Sequence, residues 1–406
     1  MLIVAYCPPI GQLPDWLYNK AMFIAITGRE RDLANAELET VFGKITPVNL
    51  GVVALEIDQA TVAHFEYLGF SKKIAKVSKS SVNKDLLANE IAIAIRENSS
   101  GSGKLSFGIS WHCTRDTNKG YYLNLAKNVK KLIQEAGRSA RFIQPKDGFE
   151  LNAAQIHFNK LTDKGCEVIL FGSADSPSIA ITKWAFNPSA YSHRDYDRPA
   201  RSAKVGMFPP KLAQVLINLS DCDSNTLICD PFCGSGVVLQ EAIYAGHNVV
   251  GSDSSEEMIA ASQKNLDWLL QVFRLQNTFT LSQNDARNFT PPSQPYAIVT
   301  EGYLGPALSE KPTEALLGPI KSNLEKLYVS FLANVINLAN APKSIVITLP
   351  FWQTTTGISY LKVIDQITDL GYTIRQFNSV DSTQLFYRRS QQIVGRQVLV
   401  LELKKD

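Results

Sequence analysis

Apolar and polar positions alternate along this chain with two different periods. Spacings of three and four predict amphipathic helices, and short alternating or continuous apolar runs predict strands. Before residue 184, this pattern predicts helices at 32–42, 60–68, 86–96 and 122–136, and strands at 22–27, 52–57, 105–111, 140–143, 168–172 and 178–182. The first part of the chain is therefore expected to form small modules in which helices and strands are mixed.

From Pro209 onward, predicted strands and helices follow one another in turn. The strands are expected at 226–229, 248–251, 296–300, 344–349 and 397–403, and the helices at 237–245, 256–270 and 318–339. Such alternation is typical of a doubly wound parallel sheet. Residues 184–206 hold few apolar runs and many Arg, Asp, Tyr and Pro, which predicts an ordered connector.

Composition excludes several classes of protein. No apolar run approaches the roughly 20 residues that span a bilayer. The first 20 residues contain three prolines and no basic start, which makes them a poor signal peptide. The six cysteines include no Cys-x-x-Cys pair and no Cys/His cluster at zinc spacing. We therefore expect a cytoplasmic protein with free thiols, no metal and no membrane partner.

The charge is unevenly distributed. Between Lys72 and Lys146, fifteen Lys or Arg residues stand against five acids, although the whole chain carries only +3. Such an excess fits a phosphate backbone as partner, and a solvated basic surface is the alternative. The candidate RNA-binding residues here are Lys104, Lys127, Lys130, Lys131, Arg138 and Arg141.

A short loop after the strand at 226–229 carries the clearest chemistry. It has the sequence Asp230-Pro-Phe-Cys-Gly-Ser-Gly236, and the helix at 237–245 begins directly after it. Two glycines let the backbone turn sharply and approach a ligand closely. Asp230 ends its strand where a carboxylate can meet an ammonium group. Asp253 ends the next strand, 23 residues further on, where an acid can accept two ribose hydroxyls.

Three other interpretations of this loop compete. A lone Gly-x-Gly after a strand can be a tight turn, and a dinucleotide fold would require Gly where Leu239 stands. A phosphate-binding loop would end in Gly-Lys-Ser/Thr, which is absent. The acid before the glycines favours a cationic ligand, and the whole arrangement predicts S-adenosyl-L-methionine as cofactor.

Further cofactor contacts are expected along the same sheet edge. Ser254 and Glu257 form a predicted capping box, and Ser254 would flank the ribose. Asp285 would receive the adenine amino group, although an exposed turn aspartate is the alternative. The complete set of predicted cofactor-binding residues is Asp230, Phe232, Cys233, Gly234, Ser235, Gly236, Asp253, Ser254, Asp285 and Ala286.

The strand at 296–300 ends in a second candidate site, Glu301, Gly302, Tyr303 and Leu304. In a doubly wound sheet this end of the strand faces the ligand crevice. A carboxylate and adjacent carbonyl groups can hold the hydrogens of an exocyclic amine, and an aromatic neighbour can stack on the base. We therefore predict that these four residues form the catalytic site of a methyltransferase.

At this point the chain resembles the THUMP-containing RNA methyltransferases that methylate guanine N2 in tRNA, the tRNA guanosine-10 branch. The resemblance covers nearly everything from Met22 onward. Besides the loop at 230–236, it is carried by Arg198-Pro-Ala-Arg201, by Met207-Phe-Pro-Pro-Lys-Leu-Ala213 and by Tyr387-Arg-Arg-Ser-Gln-Gln-Ile-Val-Gly-Arg396.

The resemblance implies an α/β protein whose class I methyltransferase domain is a Rossmann-like doubly wound sheet. That domain would follow an N-terminal ferredoxin-like unit and a THUMP module that grips the tRNA acceptor end, and residues 209–218 would pack over the cofactor. The expected division is 1–21 extension or arm, 22–75 ferredoxin-like domain, 76–183 THUMP-type module, 184–206 connector and 207–406 methyltransferase domain.

Two local features qualify these expectations. The family's amine-site sequence is Asp-Pro-Pro-Tyr or Glu-Pro-Tyr-Leu, and here Gly302 replaces the proline. Because glycine can adopt the same backbone angles at greater entropic cost, we expect a looser loop when the site is empty. Near the C-terminus, Arg388 and Arg389 are candidate contacts to the target nucleotide or phosphate, and a charged hairpin edge is the alternative.

Three functions remain open from the sequence. The first is methylation of an exocyclic amine in tRNA, guanine N2 near position 10. The second is N6-adenine methylation of DNA or RNA, which the amine-site sequence alone does not exclude. The third is a non-catalytic tRNA-binding protein that keeps a vestigial cofactor pocket. The sequence leaves open whether a small activator subunit is required.

Overall fold

The computed structural model describes residues 22–57, 60–201 and 208–404, which fall into two compact units. The first unit holds residues 22–29, 42–66 and 71–188, and the second holds 30–41, 67–70 and the chain from Ser189 onward. Residues 1–21, for which an extension or arm is expected, lie outside the described residues, as does Met207. The domain boundaries given above stay predictions.

In chain order, the elements are as follows. The helices are α1 (Arg31–Phe42), α2 (Leu87–Glu97), α3 (Lys119–Glu135), α4 (Ala153–Phe158), α5 (Pro188–Tyr196), α6 (Pro210–Leu219), α7 (Val237–Tyr244), α8 (Glu256–Phe273), α9 (Glu314–Ile336) and α10 (Ile364–Asp369). The strands are β1 (Met22–Thr27), β2 (Ile45–Asn49), β3 (Val52–Glu56), β4 (Ser71–Lys79), β5 (Leu105–Cys113), β6 (Ala140–Ile143), β7 (Cys166–Gly172), β8 (Ser178–Ala185), β9 (Leu227–Asp230), β10 (Val249–Asp253), β11 (Phe279–Gln283), β12 (Tyr296–Thr300), β13 (Ile345–Gln353), β14 (Ile358–Tyr360), β15 (Tyr372–Ile374), β16 (Phe386–Tyr387) and β17 (Val394–Leu403).

The first unit is built on one eight-stranded sheet, in the order β2-β3-β1-β4-β8-β7-β5-β6. Strand β5 pairs in parallel with β6 and β7, and the other neighbours in the sheet are antiparallel. Helix α3 buries one side chain per turn against this sheet, since Tyr122, Leu125, Val129 and Ile133 follow a spacing of three or four. Its lysines therefore project from the opposite face.

The second unit is built on a nine-stranded sheet, with the main order β11-β10-β9-β12-β13-β17-β15. The neighbours from β11 to β13 are parallel, whereas β17 runs antiparallel to β13. Strand β9 lies between β10 and β12, so the carboxyl ends of these three strands meet at one edge. This confirms the predicted Rossmann-like doubly wound sheet and the α/β class.

Helix α1 belongs to the second unit although it precedes most of the first unit in sequence. Its buried Glu37 accepts hydrogen bonds from the Gly69 amide (2.7 Å), the Phe70 amide (3.1 Å) and the Asn218 side chain (2.7 Å). Burial raises the pKa of the Glu37 carboxyl to about 7. This carboxyl group therefore joins three distant stretches of sequence within the second unit.

Several elements escape prediction from the hydrophobic pattern, and two show why. Strand β4 contains Lys72, Lys73, Lys76 and Lys79, which hide its alternation. Lys73 is nevertheless buried, because its ammonium group pairs with the Glu167 carboxylate at 2.7 Å. Helix α5 lies within the predicted connector, and its Arg194 forms a buried ion pair with Glu241 at 2.8 Å. In both elements a buried charge pair takes the place of an apolar contact.

Candidate active site

The first acid of the site, Asp230, lies at the end of β9 with only 2% of its surface exposed. Its Oδ1 accepts hydrogen bonds from the Thr300 hydroxyl (2.6 Å) and from the Phe232 amide (3.1 Å). Both partners are neutral. Burial, assisted by the nearby charges of Asp253 and Glu301, raises the pKa of Asp230 to about 7 against these hydrogen bonds.

The loop after Asp230 takes the sharp turn that its glycines predicted. Gly234 and Gly236 have φ of +50° and +83°, in the left-handed region that side chains rarely adopt. A Cβ on Gly236 would lie 2.3 Å from the Ser262 hydroxyl oxygen. The Asn265 side chain donates to the Ser235 carbonyl at 2.9 Å, so α8 packs directly against the loop. Helix α7 begins immediately after it.

Asp253, at the end of β10, is held by the same loop. Its carboxylate accepts hydrogen bonds from the Gly234 amide at 3.0 Å and from the Ser255 amide at 2.9 Å. The capping box predicted from Ser254 is wrong by one residue: Ser255 caps α8 and accepts from the Met258 amide. Ser254 is exposed, and its proposed place beside a ribose stays a prediction.

The predicted adenine contact, Asp285, lies just after β11, and its carboxylate already accepts hydrogen bonds within the protein. It caps a short 3-10 helix at Ala286–Asn288 and accepts hydrogen bonds from the Arg287 backbone and side chain. The pKa of Asp285 is lowered by these bonds. Ala286 is buried. An adenine amino group would therefore have to share this carboxylate with Arg287.

The second acid, Glu301, follows β12 and is 22% exposed. Its Oε1 accepts a hydrogen bond from Arg396 Nε at 2.6 Å, and Arg396 Nη2 lies 2.5 Å from the same oxygen in an ion pair. Arg396 is 2% exposed and lies on β17. Burial raises the pKa of Glu301 and Arg396 lowers it, with a net rise. Oε2 has no hydrogen-bond partner in the part of the chain that the structure describes.

Gly302 corrects the expectation that it merely replaces a proline. Its φ is +67°, a value that the ring of proline excludes, so the loop takes a different path. A Cβ at this position would lie 2.7 Å from the Tyr328 hydroxyl oxygen and 3.1 Å from the Thr348 carbonyl oxygen. The Gly302 amide also donates to the Thr300 hydroxyl at 3.2 Å. The segment is thus packed and hydrogen-bonded, and the looser loop expected for an empty site stays a prediction.

The other predicted residues of this segment are held by their backbone. The buried Tyr328 hydroxyl donates to the Tyr303 carbonyl at 2.8 Å, and the Thr348 hydroxyl donates to the Glu301 carbonyl. Tyr303 itself is 51% exposed, so its ring is available to a flat ligand. Leu304 is half-buried.

A cavity of about 200 Å³ joins the two acids. Of the predicted site residues, Asp230, Phe232, Cys233, Gly234, Ser235 and Glu301 line it. Gly236, Asp253, Ser254, Asp285, Ala286 and the segment 302–304 are not in its wall. Its remaining lining comes from four parts of the second unit: Arg198, Ala200, Arg201, Phe208, Val237, Val238, Glu257, Met258 and Ala261.

The residues that hold this site together were not all found from the sequence. Thr300, Tyr328 and Arg396 received no individual role, and neither did Arg198 in the cavity wall. Arg198 and Arg396 lie in stretches that carried the family resemblance, which was the available signal. Glu301 and Arg396 are 95 residues apart, and a pairing over that separation has no local pattern.

The predicted RNA-binding residues fall on separate features. Lys127, Lys130 and Lys131 share the solvent face of α3, and Lys104 is exposed before β5. Arg138 instead donates to Gly103, Ser99 and Ser100 in the loop between α2 and β5.

Arg141 lies in a groove of about 520 Å³ together with Lys146 and Phe158, whose ring is 86% exposed. No local pattern in the sequence distinguishes Phe158.

The two C-terminal arginines are partly engaged within the second unit. Arg388 donates to the Gln392 carbonyl at 2.9 Å, and Arg389 donates to the Tyr387 hydroxyl at 3.2 Å.

Among the residues that the structure describes, no group of His, Cys, Asp and Glu is arranged to hold a metal ion. Within the same residues, no helix has the length and apolar character to cross a membrane.

This sheet, glycine loop and pair of strand-end acids define a class I methyltransferase fold. Residues 198–341 match a family model described as RMKL-like, methyltransferase domain, and residues 116–264 match one described as DNA methylase. The crystal structure of a possible methylase from Clostridium difficile 630 is similar in fold, with a TM-score of 0.50 and 14% identity over 95% of this chain and 99% of that one.

The names of the curated relatives specify the methylated nucleotide. A tRNA (guanine(10)-N2)-dimethyltransferase of Methanothermobacter thermautotrophicus is 32% identical over 152 residues, which are 37% of this chain and 39% of the relative. The enzyme of the same name from Pyrococcus abyssi is 32% identical over 90 residues, 22% of this chain and 26% of the relative. The chain thus matches less than half the length of these relatives.

Proposed function

We propose that this protein is an S-adenosylmethionine-dependent methyltransferase that acts on the exocyclic N2 amine of a guanine in tRNA, near position 10. The observation that carries the proposal is the pair of acids in one cavity, Asp230 with neutral partners and Glu301 with an arginine. The similarity to tRNA (guanine(10)-N2)-dimethyltransferases supports the choice of substrate.

The cavity residues fit the cofactor. Asp230 is a buried carboxyl without a cationic partner among the described residues, and an ammonium group would stabilise its ionised form. The turn at Gly234 and Gly236 leaves backbone close to the cavity, and Asp253 is oriented by two amides. When bound, the cofactor supplies an electrophilic methyl group on a sulfonium.

The residues after β12 suit a neutral amine. Arg396 occupies Oε1 of Glu301 and stabilises the carboxylate, which leaves Oε2 to accept a hydrogen from the amine. Holding that hydrogen orients the nitrogen lone pair, and the same oxygen can take the proton that the nitrogen must lose. The exposed ring of Tyr303 can stack on the base.

A structured RNA is the partner we infer for the first unit. The lysine face of α3 and the groove with Arg141, Lys146 and Phe158 combine positive charge with an exposed aromatic ring. Cations bind phosphates, and an exposed ring stacks on an unpaired base. DNA adenine methylation is the second candidate, because residues 116–264 match the DNA methylase model.

The test is nucleoside analysis after in vitro methylation. Purified protein is incubated with methyl-labelled S-adenosylmethionine and either unmodified tRNA or duplex DNA, and the digested nucleosides are identified by mass spectrometry. We expect N2-methylguanosine or N2,N2-dimethylguanosine from tRNA, and a loss of product when guanine 10 is replaced by adenine.

N6-methyladenine in either nucleic acid would overturn the assignment in favour of the second candidate. An absence of product together with tRNA binding and no cofactor binding would favour a non-catalytic tRNA-binding protein. If the protein binds both ligands but forms no product alone, addition of cell extract shows whether an activator subunit is required.

A further inference from the structure

We infer that Arg198 binds the carboxylate of the methionine moiety of the cofactor and makes the pocket select for ligands that carry it. The inference rests on the proposed cofactor. Asp230 would bind the ammonium group of the methionine moiety, and Arg198 would bind its carboxylate.

The first observation is an unused guanidinium group. Arg198 is 4% exposed, yet its Nε and Nη1 are fully buried and have no hydrogen-bond partner among the residues that the structure describes. Burial, together with the nearby charge of Arg201, lowers the pKa of this guanidinium against the opposing effect of two acids. Buried N–H donors of a charged group are costly when unpaired, so a resident arginine of this kind indicates an anionic partner that arrives with a ligand.

The contrast with Arg194 makes the argument specific. Arg194 is equally buried and only four residues earlier, but its Nε donates to the Glu241 carboxylate at 2.8 Å and its guanidinium lies 3.9 Å from the centre of the Tyr244 ring. Asp195 and Glu241 are the acids that raise the pKa of Arg198, and neither forms a hydrogen bond with it. The protein therefore supplies an anion for one arginine and leaves the other without one.

The second observation is position. Arg198 lies in the wall of the 200 Å³ cavity that also contains Asp230, Gly234 and Glu301. Its segment is fixed there, because Ala200 exchanges two backbone hydrogen bonds with the Asn265 side chain, at 2.9 and 3.0 Å. An unpaired arginine and an acid without a cationic partner in one cavity complement the two charged groups of an α-amino acid.

The test compares two ligands that differ in one group. S-Adenosylmethionine and its decarboxylated form share the adenosine, the sulfonium and the amine, and only the first has the carboxylate. Isothermal titration calorimetry of the wild-type chain should show S-adenosylmethionine binding about 30-fold more tightly, the effect of a charge-assisted hydrogen-bonded pair. In Arg198→Met this ratio should fall to about threefold or less, and Arg198→Lys should retain part of it.

Lys264→Met is the matched control, because it removes an exposed cation from α8 of the same unit. It should leave the ratio unchanged. Thermal melts check that each variant is folded, and the wild-type ratio is independent of any variant.

Equal binding of the two ligands by the wild-type chain would overturn the inference while leaving the proposed function intact. A loss of tRNA affinity in Arg198→Met without a change in the ratio would also overturn it, and would assign the arginine to an RNA phosphate. A wild-type chain that binds neither ligand would overturn the proposed function itself.

Discussion

Asp230 and Glu301 follow neighbouring parallel strands, and both are acids whose pKa is raised by burial. Their partners differ. Among the described residues, Asp230 accepts hydrogen bonds only from neutral groups, whereas Glu301 accepts one from a buried arginine with which it also forms an ion pair. The first acid therefore has unsatisfied negative charge for a cationic ligand, and the second is already compensated and suits a neutral hydrogen-bond donor. Internal partners, more than the acid itself, therefore decide which ligand group each site accepts.

Replacement of Arg396 tests whether Glu301 depends on its arginine partner. Arg396→Gln should reduce kcat on the order of a hundredfold with little change in cofactor affinity, because the Glu301 carboxylate loses its orienting partner. Arg396 lowers the pKa of Glu301, so its loss should move the acid limb of the pH–rate profile to higher pH. Steady-state kinetics across pH measure both effects.

The control is Arg375→Gln, which removes an arginine bound to Glu402 of the same strand at 2.7 Å but outside the cavity wall. Arg396→Lys should restore part of the rate. An unchanged pH profile in a folded Arg396→Gln variant would contradict a role through Glu301.

Gly302 tests whether the amine-site loop depends on its unusual backbone. Gly302→Ala should reduce kcat about tenfold, because the new Cβ would crowd the Tyr328 hydroxyl in a left-handed conformation. Gly246→Ala is the matched control, since Gly246 also has positive φ but has nothing within 4 Å of its Cβ position. If both variants lose the same stability and neither loses activity, the packing of Gly302 has no catalytic importance.

The pH dependence of cofactor binding tests the first half of the comparison. The pKa of Asp230 in the empty pocket is about 7, and an ammonium ligand requires the ionised form. Affinity for S-adenosylmethionine should therefore rise with pH through this range, and calorimetry at pH 6.0 should give a Kd roughly eightfold weaker than at pH 7.5.

The charges of Asp253 and Glu301 also raise the pKa of Asp230, so variants are needed to show which carboxyl group titrates. The Asp230→Asn variant should bind S-adenosylmethionine weakly, with an affinity that does not change with pH. The Glu301→Ala variant should keep the pH dependence of the affinity. A slope that survives in Asp230→Asn would assign the titration to another group.

The sequence located both acids because each follows a buried strand, and the carboxyl ends of parallel strands meet at one edge. It also found the glycines, whose φ values are a local property of the loop. It could not find the partners that give the acids different roles. Thr300 reaches Asp230 across 70 residues and Arg396 reaches Glu301 across 95. Their contacts exist only once the sheet has formed.

At β4 and Gly302, too, the local sequence was not enough to predict the structure. The lysines of β4 belong to the basic stretch for which we expected a phosphate-binding surface, or alternatively a solvated one, whereas Lys73 is buried against Glu167 and the strand lies within the eight-stranded sheet. Gly302 was expected to follow the path of a proline, and the contacts of Tyr328 and Thr348 select another. In both places tertiary contacts override what the local sequence indicates.

Glu301→Ala separates the ligand of Asp230 from the ligand of Glu301. Cofactor affinity by calorimetry and single-turnover methylation of tRNA are measured on the same preparation. The account predicts S-adenosylmethionine binding within about threefold of wild type and a methylation rate lower by about a thousandfold, since the amine loses its acceptor. Methylation at the wild-type rate, or an equal loss of binding and rate, would contradict it.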